Sequence, residues 1–444
     1  MVPPDPTSRR DFLQATVAGM TLAGIAANVS AAPVNNPKAS DPQAIGPVLG
    51  HIDDHNAYLF YRLAEPGKVR LLVRNSANSA VIDQAGIAEG EHDNTVHFAL
   101  RELSPDTSYR GELLSASDGK ALPESGFTFR TPHSPARPTE TVLGFGSCVS
   151  STSFDELWQR IAAEKVEGFC LLGDTPYIDT NDLAANRRAR RIFWGTLPTL
   201  GALAKRIGFW NTWDDHDFGR NDSDGLMPKK ENIRQAFLEY NALASYGEDD
   251  AGIYTYFRRG PLEVWLIDDR WFSQTAPSWA DPKQKTCLGE KQWEWLQRTL
   301  KSSTAPFKIL CTGMVWYPKG NREKDHWETY AAERDALFAF IKRERISGVV
   351  LFSGDIHVSR HHVYDADRVG YPLHECVVSP MHDSVIPALD VKHPARVWSL
   401  PAPNVFLKVT ASNLDQQPTL TATWINMQGK RLHEFQFQAP QPNG

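Results

Sequence analysis

The chain has 444 residues, of which 41% are hydrophobic and 10% aromatic, and its formal net charge is -6. This composition is ordinary for a globular protein with a sizeable core, and the length predicts more than one domain. No basic patch stands out in the sequence, so nucleic acid is not expected as the main partner. The five cysteines have no close spacing, which argues against a disulfide framework and leaves at least one thiol unpaired in a monomer.

The first 32 residues have the pattern of a targeting signal. Arg9-Arg10 followed by Phe12-Leu13 resembles a twin-arginine signal. The apolar run at 15–27 is too short, and too rich in Gly, Ala and Thr, for a spanning helix. We expect residues 1–32 to be a twin-arginine signal peptide, recognised by the export machinery. The mature chain, without a transmembrane segment, is then periplasmic or secreted. The cleavage point and retention as an anchor are left open.

Short alternating runs occupy residues 46–132 and predict a β-sandwich, because turn residues separate them at sandwich-like spacing. The runs are Ala57–Arg62, Val69–Val73, Thr95–Leu100, Tyr109–Leu114 and Gly126–Arg130. The stretch from Leu103 to Tyr109 resembles a fibronectin type III corner, in which a tyrosine ties back into the turn. We therefore expect a fibronectin III-like domain with a packing or lid role. Linkers are predicted at 33–46 and at 130–138.

Strand-like and helical runs alternate from Thr141 onward, which predicts an α/β catalytic domain over residues 139–440. The predicted strands are 141–145, 168–172, 207–213, 262–267, 307–312, 348–352, 375–378, 405–410, 420–425 and 432–437. The predicted helices are 154–163, 229–244, 290–302 and 330–343. No internal repeat is evident.

Four of these strands end in polar clusters of the same chemical kind. The clusters are Gly146–Cys148, Gly173–Asp179, Trp213–Asp222 and Ser353–His357. Active sites in such sheets collect at the carboxyl ends of strands, and clustered Asp, His and Cys there favour a metal site. The acidic stretch after Trp213 could on its own be a solvated turn. Cys148, Tyr177 or His357 alone could equally be an ordinary core residue, but an acid placed as Asp174 is costly to bury without a cation.

These motifs together resemble the alkaline phosphatase D family of the calcineurin-like metallophosphoesterases. The matching segments are Gly-Ser-Cys at 146–148, Leu-Gly-Asp-x-x-Tyr-x-Asp at 172–179, Trp-Asp-Asp-His at 213–216 with Asn-Asp at 221–222, Asp-x-Arg at 268–270, Gly-x-x-Gln-Trp-x-Trp-Leu at 289–296 and Ser-Gly-Asp-x-His at 353–357. The sequence departs from the family at Thr175-Pro176, where many members have Gln-Ile or similar, and this difference affects the expected substrate rim.

The resemblance implies a four-layer α/β/β/α domain that hydrolyses phosphoesters with Fe3+ and Ca2+ in a two- or three-metal cluster, other divalent metals being alternatives. It assigns iron to four residues: Cys148, Asp174, Tyr177 and His357. It assigns the oxygen-rich neighbouring site to Asp214, Asp215, Asn221 and Asp355, with Asp174 as the bridge and the choice between Asp214 and Asp215 left open. His216 is implied as the acid or transition-state donor and Arg270 as a phosphate clamp, so both also bind substrate. A metal-bound hydroxide would attack phosphorus in line.

Three functions are compatible with the sequence. The first is a secreted alkaline phosphatase acting on monoesters, diesters or both. The second is a phosphodiesterase or phospholipase D-type enzyme acting on lipid headgroups, teichoic acid-like polymers or nucleic acid. The third is a non-catalytic secreted binding protein that keeps a metal only for structure. A structural metal site would be saturated with ligands, whereas these clusters contain surplus acids with a His and an Arg, which argues against this function. The physiological substrate and the oligomeric state are not set by the sequence.

Overall fold

Seven strands form two antiparallel sheets at the N-terminal end of the computed structural model, which describes residues 40–150 and 153–439. They are β1 (Ile45–Ile52), β2 (Ala57–Arg62), β3 (Gly67–Asn75), β4 (Ala80–Ala88), β5 (Thr95–Leu100), β6 (Ser108–Ser115) and β7 (Phe127–Arg130). The strand orders are β1-β2-β5 and β4-β3-β6-β7. Side chains of both sheets, among them Leu59, Leu71 and Phe98, share one core. The predicted signal peptide, 1–32, lies outside the described residues.

The sandwich agrees with the predicted strands but contains two that the sequence pattern did not indicate. The first two residues of strand β1 lie inside the predicted linker 33–46. Gly46, Pro47 and Gly50 obscured the pattern of this strand because both residue types are depleted in strands. Strand β4 is mostly exposed, so it lacks a clear buried face. The backbone N–H of Ser104 donates to the hydroxyl oxygen of Tyr109 over 2.7 Å, so this tyrosine does tie back into its turn. The likeness to a fibronectin type III domain stays a prediction.

Thirteen further strands form two mixed sheets. They are β8 (Glu140–Gly146), β9 (Gly168–Leu172), β10 (Gly208–Thr212), β11 (Thr255–Arg259), β12 (Leu262–Leu266), β13 (Phe307–Cys311), β14 (Val349–Ser353), β15 (Ser359–Tyr364), β16 (Leu373–Val377), β17 (Arg396–Leu400), β18 (Val405–Ser412), β19 (Thr419–Asn426) and β20 (Arg431–Gln438). The six-stranded sheet has the order β10-β9-β8-β18-β19-β20, and its first three strands are parallel. The seven-stranded sheet has the order β11-β12-β13-β14-β16-β15-β17, with β12, β13, β14 and β16 parallel.

The described residues include seven α-helices. They are α1 (Asp155–Ala163), α2 (Leu183–Thr196), α3 (Pro198–Ala204), α4 (Asp215–Phe218), α5 (Lys230–Glu239), α6 (Gly289–Ser302) and α7 (Ala331–Arg343). The sequence pattern did not predict α2 or α3, and it placed the stretch after Trp213 in a loop where the structure has the short helix α4. Helix α2 contains Arg187, Arg188, Arg190 and Arg191, so its apolar periodicity is weak. The Asp182 carboxylate accepts the N–H of Ala185 at its start, as an N-cap does.

The two mixed sheets face each other across a shared core, in which the Phe145 and Phe352 rings meet edge to face at 4.8 Å. Helix α1 packs on the outer face of the six-stranded sheet, where Trp158 contacts Phe169. Helix α6 lies against the seven-stranded sheet, since Trp265 donates its indole N–H to Thr299 over 2.9 Å. A mixed α/β architecture with several sheets, as predicted, is therefore present.

The β-sandwich contacts the α/β part through its first strand. The backbone N–H of His51 donates to the carbonyl oxygen of Ala242 over 2.8 Å, and the indole N–H of Trp210 donates to the His51 ring. The predicted division into 46–132 and 139–440 stays a prediction. Within residues 40–150 and 153–439, no helix combines the length and apolar character that a bilayer crossing requires.

Candidate metal centre

The four polar clusters that follow β8, β9, β10 and β14 meet at one edge of the two sheets. Parallel strands place their carboxyl ends together, so the loops after β8, β9 and β10 are neighbours. The Cys148 thiol, after β8, lies 3.5 Å from a carboxylate oxygen of Asp174, after β9. The same sulfur lies 3.5 Å from the backbone carbonyl of Asp355, after β14. One buried thiol therefore contacts loops from both sheets.

A first group of ligand atoms is formed by Cys148, Asp174 and His357, whose donor atoms lie within 4.8 Å of one another. The Tyr177 hydroxyl lies 2.7 Å from Nε2 of His357, and all four side chains are buried. Burial and the nearby Asp174 raise the pKa of the Cys148 thiol and of the Tyr177 hydroxyl well above their ordinary values. A bound cation reverses that effect and stabilises thiolate and phenolate. The donor set therefore fits a trivalent metal such as iron.

His382, which the sequence analysis did not single out, supports this group. Its Nε2 lies 3.4 Å from Nδ1 of His357, and its ring stacks on Tyr177 with centroids 5.4 Å apart. Because Nδ1 of His357 faces His382, Nε2 is left to face Tyr177 and the other ligand atoms. Such contacts to the far nitrogen fix the orientation and tautomer of a ligating histidine.

Two further groups extend the site through shared carboxylates. Asp174, Asp215 and His216 form the second group, and Asp215, Asp222 and Asp325 form the third. Asp174 belongs to the first two groups and Asp215 to the last two. Burial alone would raise the pKa of Asp215, but His216, Arg270 and Lys319 outweigh it and hold that pKa well below its ordinary value. Carboxylate oxygens arranged in series suit hard cations such as Ca2+.

The two adjacent acids of the Trp-Asp-Asp-His motif have different surroundings. Asp215 lies in both carboxylate groups, whereas Asp214 is fully buried against Arg270, whose Nε donates to it over 2.7 Å. A Cβ on Gly173 would lie 2.5 Å from the Asp214 Cβ, and a Cβ on Gly313 would lie 2.6 Å from its carboxyl carbon. Asp214 is thus packed between Gly173 and Gly313, and its carboxylate faces Arg270. The geometry favours Asp215 as the metal ligand.

Arg270 has the surroundings of a buried ion-pair partner. Its side chain is 1% exposed, and besides Asp214 it donates to the carbonyl oxygen of Ser223 and to Asp325 over 3.2 and 3.3 Å. Its guanidinium therefore already has two carboxylate partners and does not face open solvent. The phosphate-clamp role stays a prediction that this arrangement does not support.

His216 is held by an acid. Its Nδ1 lies 2.5 Å from Asp179, and its ring packs against Tyr177 with centroids 4.7 Å apart. Burial alone would lower the pKa of His216, but Asp215, the hydrogen bond to Asp179 and the charge of Asp174 raise it to about 10. An imidazolium with one nitrogen fixed can present the other to a leaving oxygen.

The last two residues of the predicted motif, Asn221 and Asp222, follow helix α4. Both side chains are exposed, and the ligand role of Asn221 stays a prediction. The backbone N–H of Asp222 donates to Asp215 over 2.6 Å, and the Asp222 carboxylate joins the third group. Asp222 is therefore a further candidate ligand beside Asn221.

One buried carboxylate, Asp217, joins two of the loops. It accepts the backbone N–H of Asp214 over 2.6 Å and those of Asp174 and Thr175 over 3.3 Å. The loops after β9 and β10 are therefore fastened to the same side chain. Its position inside the acidic motif was the only sequence signal for it.

Lys319 and Asp325 complete the site from a segment that the sequence analysis passed over. They lie between β13 and the short helix Trp327–Tyr330, and the Lys319 ammonium lies 2.7 Å from Asp325 and from Asp355. No strand-end motif or periodicity marks this segment, so no sequence signal could have placed it here.

Solved structures resemble this fold over most of its length. A structure described as PhoD matches with a TM-score of 0.73 and 18% identity, covering 88% of this chain and 89% of that one. A purple acid phosphatase from seeds of yellow lupin (Lupinus luteus) matches with a TM-score of 0.65 and 10% identity, covering 89% and 74%. The chain therefore shares its fold with these two structures.

The family model for PhoD-like phosphatases matches residues 144–407, and the chain belongs to that family. Alkaline phosphatase D of Bacillus subtilis (strain 168) is 24% identical over 419 residues, covering 79% of this chain and 71% of that protein. The predicted resemblance is confirmed, and so is the class of enzyme, a phosphoester hydrolase.

Proposed function

We propose that the protein is a metal-dependent phosphoester hydrolase whose metal centre is built around Asp174. The observation that carries this proposal is that Asp174 belongs to two ligand groups at once, one with Cys148 and His357 and one with Asp215 and His216. A carboxylate shared in this way is suited to bridge two cations. Bound metals would activate the attacking water and neutralise charge on the phosphoryl group.

The ligand groups divide into an iron half and a carboxylate half. Cys148, Asp174, Tyr177 and His357 would hold Fe3+, since thiolate and phenolate suit a trivalent ion better than Ca2+. The carboxylate half would take Ca2+ or another divalent ion through its oxygens. Its proposed ligands are Asp174, Asp215 and Asp355, with Asp222 and Asp325 nearby.

We assign proton transfer to His216, whose ring is oriented without a metal. Asp179 fixes its Nδ1, so the ring keeps one orientation and the proton on its other nitrogen can move to the leaving oxygen. Arg270 is then a structural partner of Asp214. The arrangement has no role for a protein nucleophile.

The decisive experiment combines metal analysis with turnover. We expect the protein to contain iron and calcium and to hydrolyse a chromogenic monoester, a diester or both, and Asp174→Asn to lose both metals and the activity together. Asp415→Asn, an exposed acid on the loop between β18 and β19, is the matched control. Full retention of one metal in Asp174→Asn would contradict the bridge. The ratio of monoester to diester turnover separates a phosphatase from a phosphodiesterase.

The proposal extends to architecture and location. The helices on both outer sheet faces support the four-layer α/β/β/α arrangement of 139–440, and the seven-stranded sandwich supports a fibronectin III-like domain over 46–132. Export by the twin-arginine pathway is supported by Arg9-Arg10 and by the five cysteines, all free and buried. Arg9→Lys with Arg10→Lys should then keep the protein inside the cell, as fractionation would show.

A further inference from the structure

Lys319 is a buried cation at the carboxylate half of the site. Its side chain is 3% exposed, and its Nζ lies 2.7 Å from Asp355 and 2.7 Å from Asp325. Glu323, on the same loop, lies 3.5 Å away. All of these partners are carboxylates, so the ammonium occupies a place where oxygen ligands converge.

The same oxygens are the ones that a divalent metal would need. Asp325 belongs to the group with Asp215 and Asp222, and Asp355 is a proposed ligand from β14. Among the residues that the structure describes, Lys319 is the one cation paired with the Asp355 carboxylate. An ammonium is a compact point charge. It therefore uses the same lone pairs as a hard metal ion and repels that ion at contact distance.

We propose that Lys319 is a resident counter-cation of the carboxylate half, and that a divalent metal ion reaches Asp355 only by displacing the Lys319 ammonium. This inference rests on the proposed metal centre. Lys319 neutralises the acidic cluster in the metal-free chain and lowers the affinity of this half for divalent ions. Because Lys319 is held by a loop and not by a strand, the displaced side chain can move outward without breaking a sheet.

Arg270 does not share this role, although it is also buried and also contacts Asp325. Its guanidinium is held from several directions, by Asp214, by Asp325 and by the carbonyl oxygen of Ser223. Its main partner, Asp214, lies outside the ligand groups. Displacing Arg270 would strand a buried carboxylate, whereas displacing Lys319 exchanges one cation for another at the same oxygens.

The first test measures Ca2+ affinity by calorimetric titration of metal-depleted protein. Lys319→Met keeps the length of the side chain and removes its charge, and Lys324→Met removes an exposed charge from the same loop as a matched control. We expect Lys319→Met to bind Ca2+ about tenfold more tightly or better, with Lys324→Met unchanged. Equal or weaker binding by a folded Lys319→Met protein would overturn the inference.

A second test uses the unmodified chain and therefore does not depend on the folding of a variant. Lysines are acetylated briefly with and without Ca2+, and the fraction modified at each position is read by mass spectrometry. Lys319 should be protected in the metal-depleted protein and labelled several-fold more when Ca2+ is bound, while Lys324 should label equally. Equal protection of Lys319 in both states would contradict displacement.

The two proposals fail in different ways. If the protein binds neither iron nor Ca2+, the metal centre is wrong and the role of Lys319 falls with it. If the protein binds Ca2+ but Lys319→Met binds it no more tightly, only the role of Lys319 is wrong.

Discussion

The Nδ1 atom of His216 lies 2.5 Å from a carboxylate oxygen of Asp179, which joins the loop after β10 to the loop after β9. His216 also belongs to a ligand group with Asp174 and Asp215, so metal binding is the alternative to its role as proton donor. The pairing with Asp179 favours the proton donor because it orients the ring without a metal.

His216→Ala should therefore keep its metal content while kcat falls about 10²-fold or more, the usual loss for a general acid. Elemental analysis and turnover of a chromogenic monoester measure the two quantities on one sample. Asp179→Asn should lower kcat less, because the ring stays in place with a weaker partner. Loss of metal from His216→Ala would make His216 a ligand.

Tyr177→Phe should change the colour of the iron-loaded protein. A phenolate bound to Fe3+ gives a visible charge-transfer band, since the metal holds the hydroxyl deprotonated against the effect of burial. The substitution removes only one oxygen, so the band should shift or weaken while the circular dichroism spectrum is unchanged.

Tyr246→Phe, at a half-buried tyrosine outside the site, is the control for the colour change and should leave the band as it is. A colourless, fully active protein that contains only zinc, manganese or calcium would exclude iron and leave Cys148 as an ordinary buried thiol.

Arg270→Met should destabilise the metal-free protein. Removing one partner of a buried ion pair leaves an unpaired charge and costs about 3–5 kcal/mol. Arg270→Met combined with Asp214→Asn should recover part of that loss, and urea unfolding of the three variants measures it. An unchanged free energy of unfolding with a raised KM would instead show that Arg270 binds the phosphate.

Three neighbouring histidines, His374, His361 and His433, should make the free energy of unfolding fall in acid. The His361 ring lies 2.9 Å from His374 and 3.0 Å from His433. Burial, together with the neighbouring histidines, lowers the pKa of His361 to about 3, and burial lowers that of His374 to about 4. Histidine in an unfolded chain titrates near pH 6.5. Between the folded and unfolded pKa values the unfolded chain binds more protons than the folded protein, so the free energy of unfolding falls as the pH falls.

His361→Gln should remove part of this dependence, which is at most about 1.4 kcal/mol per pH unit for one histidine. Urea unfolding at pH 7, 5.5 and 4 measures this dependence. As the pH falls, the free energy of unfolding should decrease less for His361→Gln than for wild type. His92→Gln, at a half-exposed histidine, is the control. Parallel curves for His361→Gln and wild type would contradict the prediction.

The sequence predicted three of the strand-end clusters because each combines a buried strand with acids that cannot be left unpaired in a core, and the fourth because its strand ends in Cys148. It could not separate Asp214 from Asp215, since adjacent residues share every sequence property and differ only in what encloses them. Here Gly173 and Gly313, from two different sheets, leave Asp214 room only toward Arg270. That distinction depends on contacts between segments that are far apart in the sequence.

Lys319, Asp325 and His382 were missed for a related reason. Each lies on an irregular segment, where neither periodicity nor a motif constrains the fold, and each enters the site only through tertiary packing. Helix α2 was missed because its arginines weaken the apolar pattern, although Arg190 is buried and Arg187 and Arg191 form ion pairs with carboxylates in the structure. Local patterns therefore indicated the ligands better than the residues that surround them.

The two glycines beside Asp214 have a consequence for how far this chain can vary. A methyl group at either position would overlap Asp214 by about 1 Å, given ordinary carbon contact distances. At 173 it would displace neighbouring loops of the six-stranded sheet, and at 313 it would push the loops of the two sheets apart. Displacements of that size in a catalytic constellation can cost about 10²-fold in rate. The fit of these loops around Asp214 thus depends on two missing methyl groups, and we expect alanine at either position to be as severe a change as losing a side chain that performs chemistry.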